Sequence, residues 1–295
     1  MNTQVGDRAL LLNVAYRLLG SASDAEDAVQ EAYARWYGMS QRRRDDVHAP
    51  TAWLVTTVSR ICLDLLNSAR ARRERYVGEW LPEPVSASTF WTSHAALESV
   101  GDPAERVSLD ESLSMALLVV LESMTPAERV AFVLHDVFGY PFTDVGDIVG
   151  RSPQACRQLA SAARRHVREQ RQRRVRPEDH AHVVAAFRTA WQAGDLTGLI
   201  RWLDPDATAI ADGGGQVSAM LNPVHGAEPI AKLLLGVGRR QHDLTIDTTT
   251  VNAEPGLVAR DAAGSVLAVM SVAVLDDHID RIWVMRNPAK LTTWR

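Results

Sequence analysis

Residues 142–176 read FTDVGDIVGRSPQACRQLASAARRHVREQRQRRVR, and this stretch decides how the first half of the chain is understood. Its apolar spacing predicts a short helix that Gly150 ends. Ser152 and Pro153 predict the start of a second helix, since serine caps a helix and a proline at the first position needs no N–H partner. Gly146 lies where two such helices cross, which requires a small side chain. The pattern indicates a helix-turn-helix.

The second helix is strongly basic. From Arg151 to Arg176 there are nine arginines and one acid, Glu169, although the whole chain has a formal net charge of −4. A helix in the major groove needs side chains for base edges at its start and cations for phosphates around it. The segment supplies both and predicts DNA binding. The alternative is a basic, solvated helix of an ordinary helical protein.

Neither composition nor motif spacing indicates a cofactor, a metal site or a membrane segment. Cys62 and Cys156 have no metal-ligand spacing and fit buried thiols in a reducing compartment. The charged residues among the first twenty do not fit a signal peptide, and no run approaches the roughly 20 apolar residues of a membrane span. A cytoplasmic protein is predicted.

Periodicity divides the chain into four parts. Residues 1–76 are predicted to be all-helical, with Ser23 opening the second helix, and residues 77–107 form a linker rich in Gly, Pro and Ser. Residues 108–176 are helical again and contain the helix-turn-helix. Residues 177–295 begin with two helices, continue as strands near 207–211, 244–251, 257–261, 265–275 and 279–286, and include a helix near 227–235. This order predicts an α+β domain with a curved antiparallel sheet.

Several motifs resemble one protein family. The carrying stretches are DAEDAVQE (24–31) with Trp36, AWLV (52–55) through CLDLL (62–66), LE (121–122) with PAER (126–129), and VGRSPQACRQL (149–159). In this order they are similar to the extracytoplasmic function (ECF) sigma factors of the sigma-70 family. The linker motif YVGEWLPEP (76–84), the turn DGGG (212–215) and NPAKL (287–291) resemble the SigJ-like branch, which carries a SnoaL-like C-terminal domain. Gln216 and Ala289 depart from the branch, which usually has lysine and aspartate there.

The resemblance implies roles for three sets of residues. Regions 2 and 4 of a sigma factor would be 1–76 and 108–176, and the partners would be core RNA polymerase, through its β′ and β subunits, and promoter DNA. Docking on the β′ coiled coil would use Asp24, Asp27, Glu31 and Trp36. The −10 element would be read by Arg44, Arg60, Asp64, Asn67 and Arg70. The −35 element would be read by Ser152, Gln154, Arg157, Gln158, Ser161, Arg164 and Arg165, with Gln154 and Arg157 suited to paired hydrogen bonds with adenine and guanine.

The C-terminal domain, 177–295, leaves two interpretations open. A domain that controls the sigma regions in cis would cover the apolar linker, with no separate anti-sigma factor and with room for a small-molecule ligand. The residues expected to make that contact are Trp80, Leu81, Pro82, Asp212, Gly213, Gly214, Gly215, Asn287, Pro288, Lys290 and Leu291. A SnoaL-like enzyme or ligand-sensing domain fused to a DNA-binding regulator is the alternative. Its candidate pocket groups are Asp212, His225, Asp243, Trp283 and Arg286, and no spacing among them defines a catalytic pair, so no enzyme activity is predicted.

Overall fold

The computed structural model describes residues 6–73, 76–86, 111–171, 175–241 and 243–294. These form two units. Unit 1 contains 6–72, 111–112 and 120–167, and unit 2 contains 76–86, 113–119 and 168–294. The division therefore places residues 76–86 and 113–119 in the same unit as the C-terminal sheet. The first segment lies at the start of the predicted linker, 77–107, and the second follows its end, and we call them the two linker ends.

The regular secondary structure of unit 1 is helical over its described residues. Its helices are α1 (Arg8–Leu19), α2 (Ala22–Gly38), α3 (Gln41–Asp45), α4 (Pro50–Arg73), the last residues of α5 (Met115–Glu122), α6 (Pro126–Phe132) with its π-helical continuation Val133–Val137, α7 (Phe142–Val149) and most of α8 (Pro153–Arg171). Local signals set the boundaries: Asp7 caps α1, and Gly20 ends it in the left-handed conformation with φ of 68°. Thr125 and Glu128 form the reciprocal capping box that begins α6.

The start of α2 differs from the sequence prediction. The cap is Ser21, whose side chain accepts a hydrogen bond from the backbone N–H of Asp24, and the helix begins at Ala22. Ser23 therefore lies inside the first turn. Two serines within three residues offer two caps, and the earlier one lengthens the helix enough to bury Ala22.

Unit 2 is an α+β structure, as predicted. It contains α9 (Pro177–Gln192), α10 (Leu196–Trp202), β1 (Leu203–Asp212), β2 (Val224–His225), α11 (Ala227–Arg240), β3 (Thr245–Val251), β4 (Glu254–Arg260), β5 (Val266–Leu275), β6 (His278–Met285) and two short 3₁₀ turns, Pro288–Lys290 and Thr292–Trp294. The strands form one sheet in the order β2-β1-β6-β5-β4-β3. The predicted hairpin joins β5 to β6, with Asp276 and Asp277 at φ of 47° and 65°.

The sheet is mixed rather than wholly antiparallel. All its pairs are antiparallel except β1 with β6, which run parallel. The chain leaves β1 and returns to β6 through β2, α11 and three further strands, and such a long crossover is what a parallel pair requires. The pair places the ends of β1 and β6, at Asp212 and Met285, side by side.

Both faces of the sheet are covered. On one face, alternate residues such as Ala209, Leu257 and Ile282 pack against α9, α10 and α11. On the other, Val258 and Trp283 belong to a second cluster that includes residues from both linker ends. Successive side chains of a strand point to opposite faces, so neighbouring residues of one strand pack into two different apolar clusters.

Candidate nucleic-acid interface and linker-binding site

The helix-turn-helix has the geometry that its sequence predicts. A side chain at Gly146 would place its Cβ 2.6 Å from the Arg151 carbonyl oxygen, so only glycine fits where the turn passes α7. Gly150 ends α7 with φ of 72°, and the Ser152 hydroxyl accepts a hydrogen bond from Ala155 N–H at 3.2 Å. Pro153 is the first residue of α8. These contacts fix the angle between α7 and the start of α8.

The start of α8 presents a polar, exposed face. The exposed residues are Ser152, Gln154, Arg157, Gln158, Ser161 and Arg165, all of them predicted −35 contacts. The Arg157 guanidinium lies over the Phe142 ring at 5.4 Å, which holds this side chain at the turn while it stays accessible. The seventh residue of the set, Arg164, is only partly exposed, because it forms an ion pair at 2.5 Å with the buried Asp136. Its guanidinium therefore has a structural partner within unit 1.

The predicted −10 residues lie along α4, except Arg44, which lies in the short helix α3 and not in a loop. Arg60, Asp64 and Asn67 are exposed, whereas the side chain of Arg70 lies outside the described residues. Arg44 is half-buried and donates to the Tyr37 carbonyl at 3.2 Å and to the Gln41 side chain at 2.7 Å. Arg60 donates to the carbonyl of Asp147 in α7 at 2.8 Å. One predicted −10 residue is thus bonded to the helix-turn-helix itself.

The acidic face of α2 is accessible, but its aromatic member is not. Asp24, Asp27 and Glu31 are exposed, and Glu31 forms an ion pair with Arg35. Trp36 is 3% exposed and packs on Trp53, with ring centroids 5.2 Å apart. In this conformation the Trp36 side chain is therefore buried and lies away from the exposed acidic face. Its place on the apolar stripe of an amphipathic helix makes it a core residue.

Two buried arginines in unit 1 were not recognised from the sequence. Arg17 in α1 donates to the Ser112 hydroxyl at 2.6 Å. Arg129 in α6 donates to the Leu18 carbonyl at 3.0 Å and to Glu122 at 2.7 Å, and it is 2% exposed. They connect the first helical module to the second. An arginine on the apolar side of a helix is the sequence signal that could have identified them.

The first linker segment, 76–86, is bound to the sheet of unit 2. Leu81 is 3% exposed and packs with Trp283 and Leu291. The Trp294 indole N–H donates to the Pro84 carbonyl at 2.9 Å, and Ser86 forms an isolated antiparallel bridge with Val251. The apolar residues of this linker are therefore part of a folded core.

A buried carboxylate organises this contact. Asp212, at the end of β1, is 0% exposed and accepts hydrogen bonds from the Tyr76 hydroxyl at 2.6 Å and from Leu81 N–H at 3.0 Å. Lys290 lies 2.7 Å from the same carboxylate and also donates to the Leu81 carbonyl at 2.6 Å. Its ammonium group sits 4.1 Å from the centroid of the Trp80 ring. We call these five residues the linker clamp.

The chain around the linker clamp is shaped to fit it. Asn287 donates to the Tyr76 hydroxyl at 2.8 Å. At Gly214, whose φ is 60°, a Cβ would come within 2.3 Å of the Asn287 side chain, so this glycine permits the approach. Burial, together with the hydrogen bond to Asp212, raises the pKa of Tyr76 above its ordinary value.

The remaining residues expected at this contact take different positions. Pro82 and Gly213 are buried, whereas Gly215 and Pro288 are exposed. Gln216 and Ala289, the two departures from the branch, are exposed as well.

A single asparagine holds both ends of the linker. The Asn252 side chain accepts from Val85 N–H at 3.1 Å and donates to the Leu113 carbonyl at 3.0 Å. Asn252 is 1% exposed and has a φ of 52°, a conformation that asparagine tolerates better than most residues. Residues 85 and 113 are thus fixed to one turn between β3 and β4, and Met115 joins the same apolar cluster.

The opposite face of the sheet contains a cavity of about 270 Å³. Of the five pocket groups proposed from the sequence, only Arg286 lines it. Asp212 and Trp283 face the linker, and His225 and Asp243 are exposed. The described lining residues include no aspartate, glutamate or histidine, so the wall that is described brings no acid–base pair together.

None of the helices in the described parts of the chain is long and apolar enough to cross a membrane.

Comparison with known proteins agrees with this arrangement. The family description "Sigma-70 region 2" matches residues 7–72, and "Sigma-70, region 4" matches residues 114–167. The ECF RNA polymerase sigma factor SigJ of Mycobacterium tuberculosis is 38% identical over 296 residues, which cover 97% of this chain and 91% of SigJ. The probable ECF RNA polymerase sigma factor SigI of the same species is 35% identical over 98% of this chain and 93% of its own length. The crystal structure of M. tuberculosis SigJ matches with a TM-score of 0.73 and 33% identity, covering 97% of this chain and 96% of that one.

Proposed function

The chain belongs to the ECF sigma factors of the sigma-70 family, and from this membership we propose that unit 2 regulates it in cis by holding the linker between the two DNA-reading modules. As a sigma factor it directs RNA polymerase to promoters and initiates transcription. The observation that carries the proposal is the linker clamp, in which Asp212 and Lys290 bind backbone groups of the linker itself.

The clamp is specific enough to act as a regulatory contact. A buried carboxylate with a charged partner is stabilising only while its partners stay in place, because separating them leaves a buried charge unpaired. Asp212 has two linker donors, Tyr76 and Leu81, and Lys290 has a linker carbonyl. Release of the linker would therefore break several charge-assisted hydrogen bonds together, which favours two discrete states over gradual loosening.

We assign promoter contacts to the exposed faces described above. Gln154, Arg157 and Gln158 at the start of α8 would read the −35 element, and Arg60, Asp64 and Asn67 on α4 would read the −10 element. The acidic face of α2 would dock on the β′ coiled coil. Arginine, asparagine and glutamine are suited to base edges, whereas the further arginines of α8 would contact phosphates and set the salt dependence.

We propose that the described conformation of unit 1 is not the one that reads a promoter. Arg60 bonds to the carbonyl of Asp147 in α7, at 2.8 Å. The −10 and −35 elements lie about 25 base pairs apart, roughly 85 Å along the duplex at about 3.4 Å per base pair. A residue bound at one element cannot also touch the helix bound at the other. We therefore propose that promoter binding requires α4 and α7 to separate.

We further propose that the protein catalyses no reaction and needs no separate anti-sigma factor. Its described cavity wall offers arginines, a glutamine and a serine, without the carboxylate or imidazole that general acid–base chemistry requires. Control of the sigma regions would instead come from the linker contact within the same chain.

Run-off transcription with core polymerase tests these proposals. A defined start that depends on the protein is expected, and its yield should differ at least fivefold between the wild-type chain and the Trp80→Ala and Asp212→Asn variants. Asp206→Asn is the matched control, since Asp206 is an exposed aspartate of the same strand. Equal yields from all four proteins would refute control by the clamp, and a start that does not depend on the protein would refute the promoter assignments.

A further inference from the structure

The cavity of unit 2 lies between α11 and the sheet, on the face that the linker does not use. Its wall is mainly apolar and includes Trp191, Met220, Ile246 and Leu257. A volume of about 270 Å³ equals roughly nine water molecules at about 30 Å³ each. The space is therefore of a size for a small ligand, of roughly ten non-hydrogen atoms.

The polar groups of the wall define the charge of that ligand. Two arginines, the exposed Arg240 and the half-buried Arg286, are among the lining residues, and the described lining residues include no acidic side chain. The Arg286 guanidinium donates to the carbonyl of Ser218, which holds it at the cavity. A guanidinium presents five N–H donors in a planar fork, so one carbonyl leaves donors for a bidentate partner such as a carboxylate.

Residues at the ends of β1 and β6 contribute to both the cavity and the linker clamp. Ala211 lines the cavity, and the next residue, Asp212, holds the linker. Arg286 lines the cavity, and the next residue, Asn287, donates to the Tyr76 hydroxyl. The backbone N–H groups of Arg286 and Asn287 both donate to the Asp212 carbonyl, at 2.8 and 2.9 Å. A shift of Arg286 therefore reaches the clamp through one residue of backbone.

We infer that this cavity is a sensor site for a small carboxylic acid with an apolar body, whose occupancy strengthens the grip of unit 2 on the linker. The apolar wall takes the body of the ligand, and Arg286, with Arg240, takes the carboxylate. A ligand stabilises the linker-bound state to the extent that it binds that state more tightly than the released one. The shared backbone at Asp212 and Arg286 is where such a difference in affinity would arise. The site itself stands on the cavity, whereas its effect on transcription rests on the proposed role of the clamp.

Calorimetric titration of the full-length protein tests the site. Octanoate represents aliphatic acids and 2-naphthoate aromatic acids, and octanol and octylamine match octanoate in length. At least one acid is expected to bind, at least tenfold more tightly than octanol or octylamine. Arg286→Met should weaken binding at least tenfold, and Arg239→Met, which changes the neighbouring exposed arginine outside the wall, should not. Ala268→Phe fills the cavity without removing a charge and should abolish binding.

Binding of neither acid, or equal binding of octanol and octylamine, would overturn the assignment of the ligand. Retention of acid binding by both Arg286→Met and Ala268→Phe would overturn the location. Thermal unfolding of each variant identifies any that fails to fold.

Hydrogen exchange of the 76–86 amides tests the coupling. If an amide exchanges only after the linker is released and the ligand has dissociated, its exchange should slow by about tenfold at an acid concentration ten times the dissociation constant. Unchanged or faster exchange in a protein that binds the acid would refute the coupling and leave the site standing. Asp212→Asn without any ligand tests the clamp separately. If the clamp does not hold the linker, this variant leaves the exchange of the 76–86 amides unchanged.

Discussion

Replacement of Asp212 by asparagine separates the charge of the linker clamp from its shape. One carboxylate oxygen accepts from Tyr76 and Gly214, and the other accepts from Leu81 and Lys290. An amide has one oxygen, so either pair of donors meets an NH₂ group whichever way the side chain turns. Each hydrogen bond to a charged group contributes about 1.5–3 kcal/mol, and removing one partner of a buried ion pair costs about 3–5 kcal/mol.

We expect Asp212→Asn to lower the free energy of unfolding of unit 2 by about 3–5 kcal/mol at neutral pH. The Asp212 side chain is fully buried and the Lys290 side chain is 13% exposed, so solvent recovers little of the lost interaction. Urea unfolding followed by tryptophan fluorescence measures the change, because Trp80, Trp283 and Trp294 all lie around the clamp. Asp206→Asn on the same strand should change the stability by less than about 0.5 kcal/mol. A loss below about 1 kcal/mol for Asp212→Asn would show that the carboxylate does not hold the linker.

Three further outcomes follow from single side chains. The pKa of Tyr76 is raised in the folded state, so its contribution to the free energy of unfolding is fully present below pH 10, the ordinary tyrosine value, and is lost above it, because the unfolded tyrosine ionises first. Tyr76→Phe should therefore lose less stability than the wild type between pH 10 and higher pH in alkaline unfolding. Gly146→Ala should destabilise the helix-turn-helix by about 1–3 kcal/mol in thermal or urea unfolding, because its Cβ would meet the Arg151 carbonyl, whereas Gly38→Ala, with nothing within 4 Å, should not. Arg157→Ala should cost roughly 1–3 kcal/mol of discrimination at one −35 base pair in transcription from promoter variants, and equal loss on every variant would indicate a phosphate contact instead.

Much of the architecture could be predicted because short-range signals determine it. Gly146, Gly150 and Pro153 specify the helix-turn-helix through local sterics, and two adjacent aspartates specify the β5–β6 hairpin. The α+β class followed from the order of helices and strands.

The contacts that were not predicted join residues that are far apart in the sequence. Arg129 meets Leu18 across 111 residues, and Tyr76 meets Asp212 across 136. Motif resemblance suggested which segments belong to the clamp, but nothing local identifies Tyr76 and Lys290 as partners of one carboxylate. The run MALLVVLE of α5 is apolar on all sides, so its periodicity does not reveal that 113–119 belongs to unit 2. Trp36 differs from these contacts, because its place on the apolar stripe of α2 was a local signal for burial.

The position of Asn252 changes the mechanical nature of the linker. Between Arg73, the last residue of α4, and Met115, the first of α5, there are 41 residues, a contour length of roughly 135 Å at about 3.3 Å per residue. As a flexible tether such a chain would have a broad distribution of end-to-end distances, roughly 35 Å on average. Bonds from Asn252 to Val85 and Leu113 remove the intervening residues from that length. While they hold, the distance between the two anchor points is a fixed dimension of a folded sheet, and when they break it becomes a random variable.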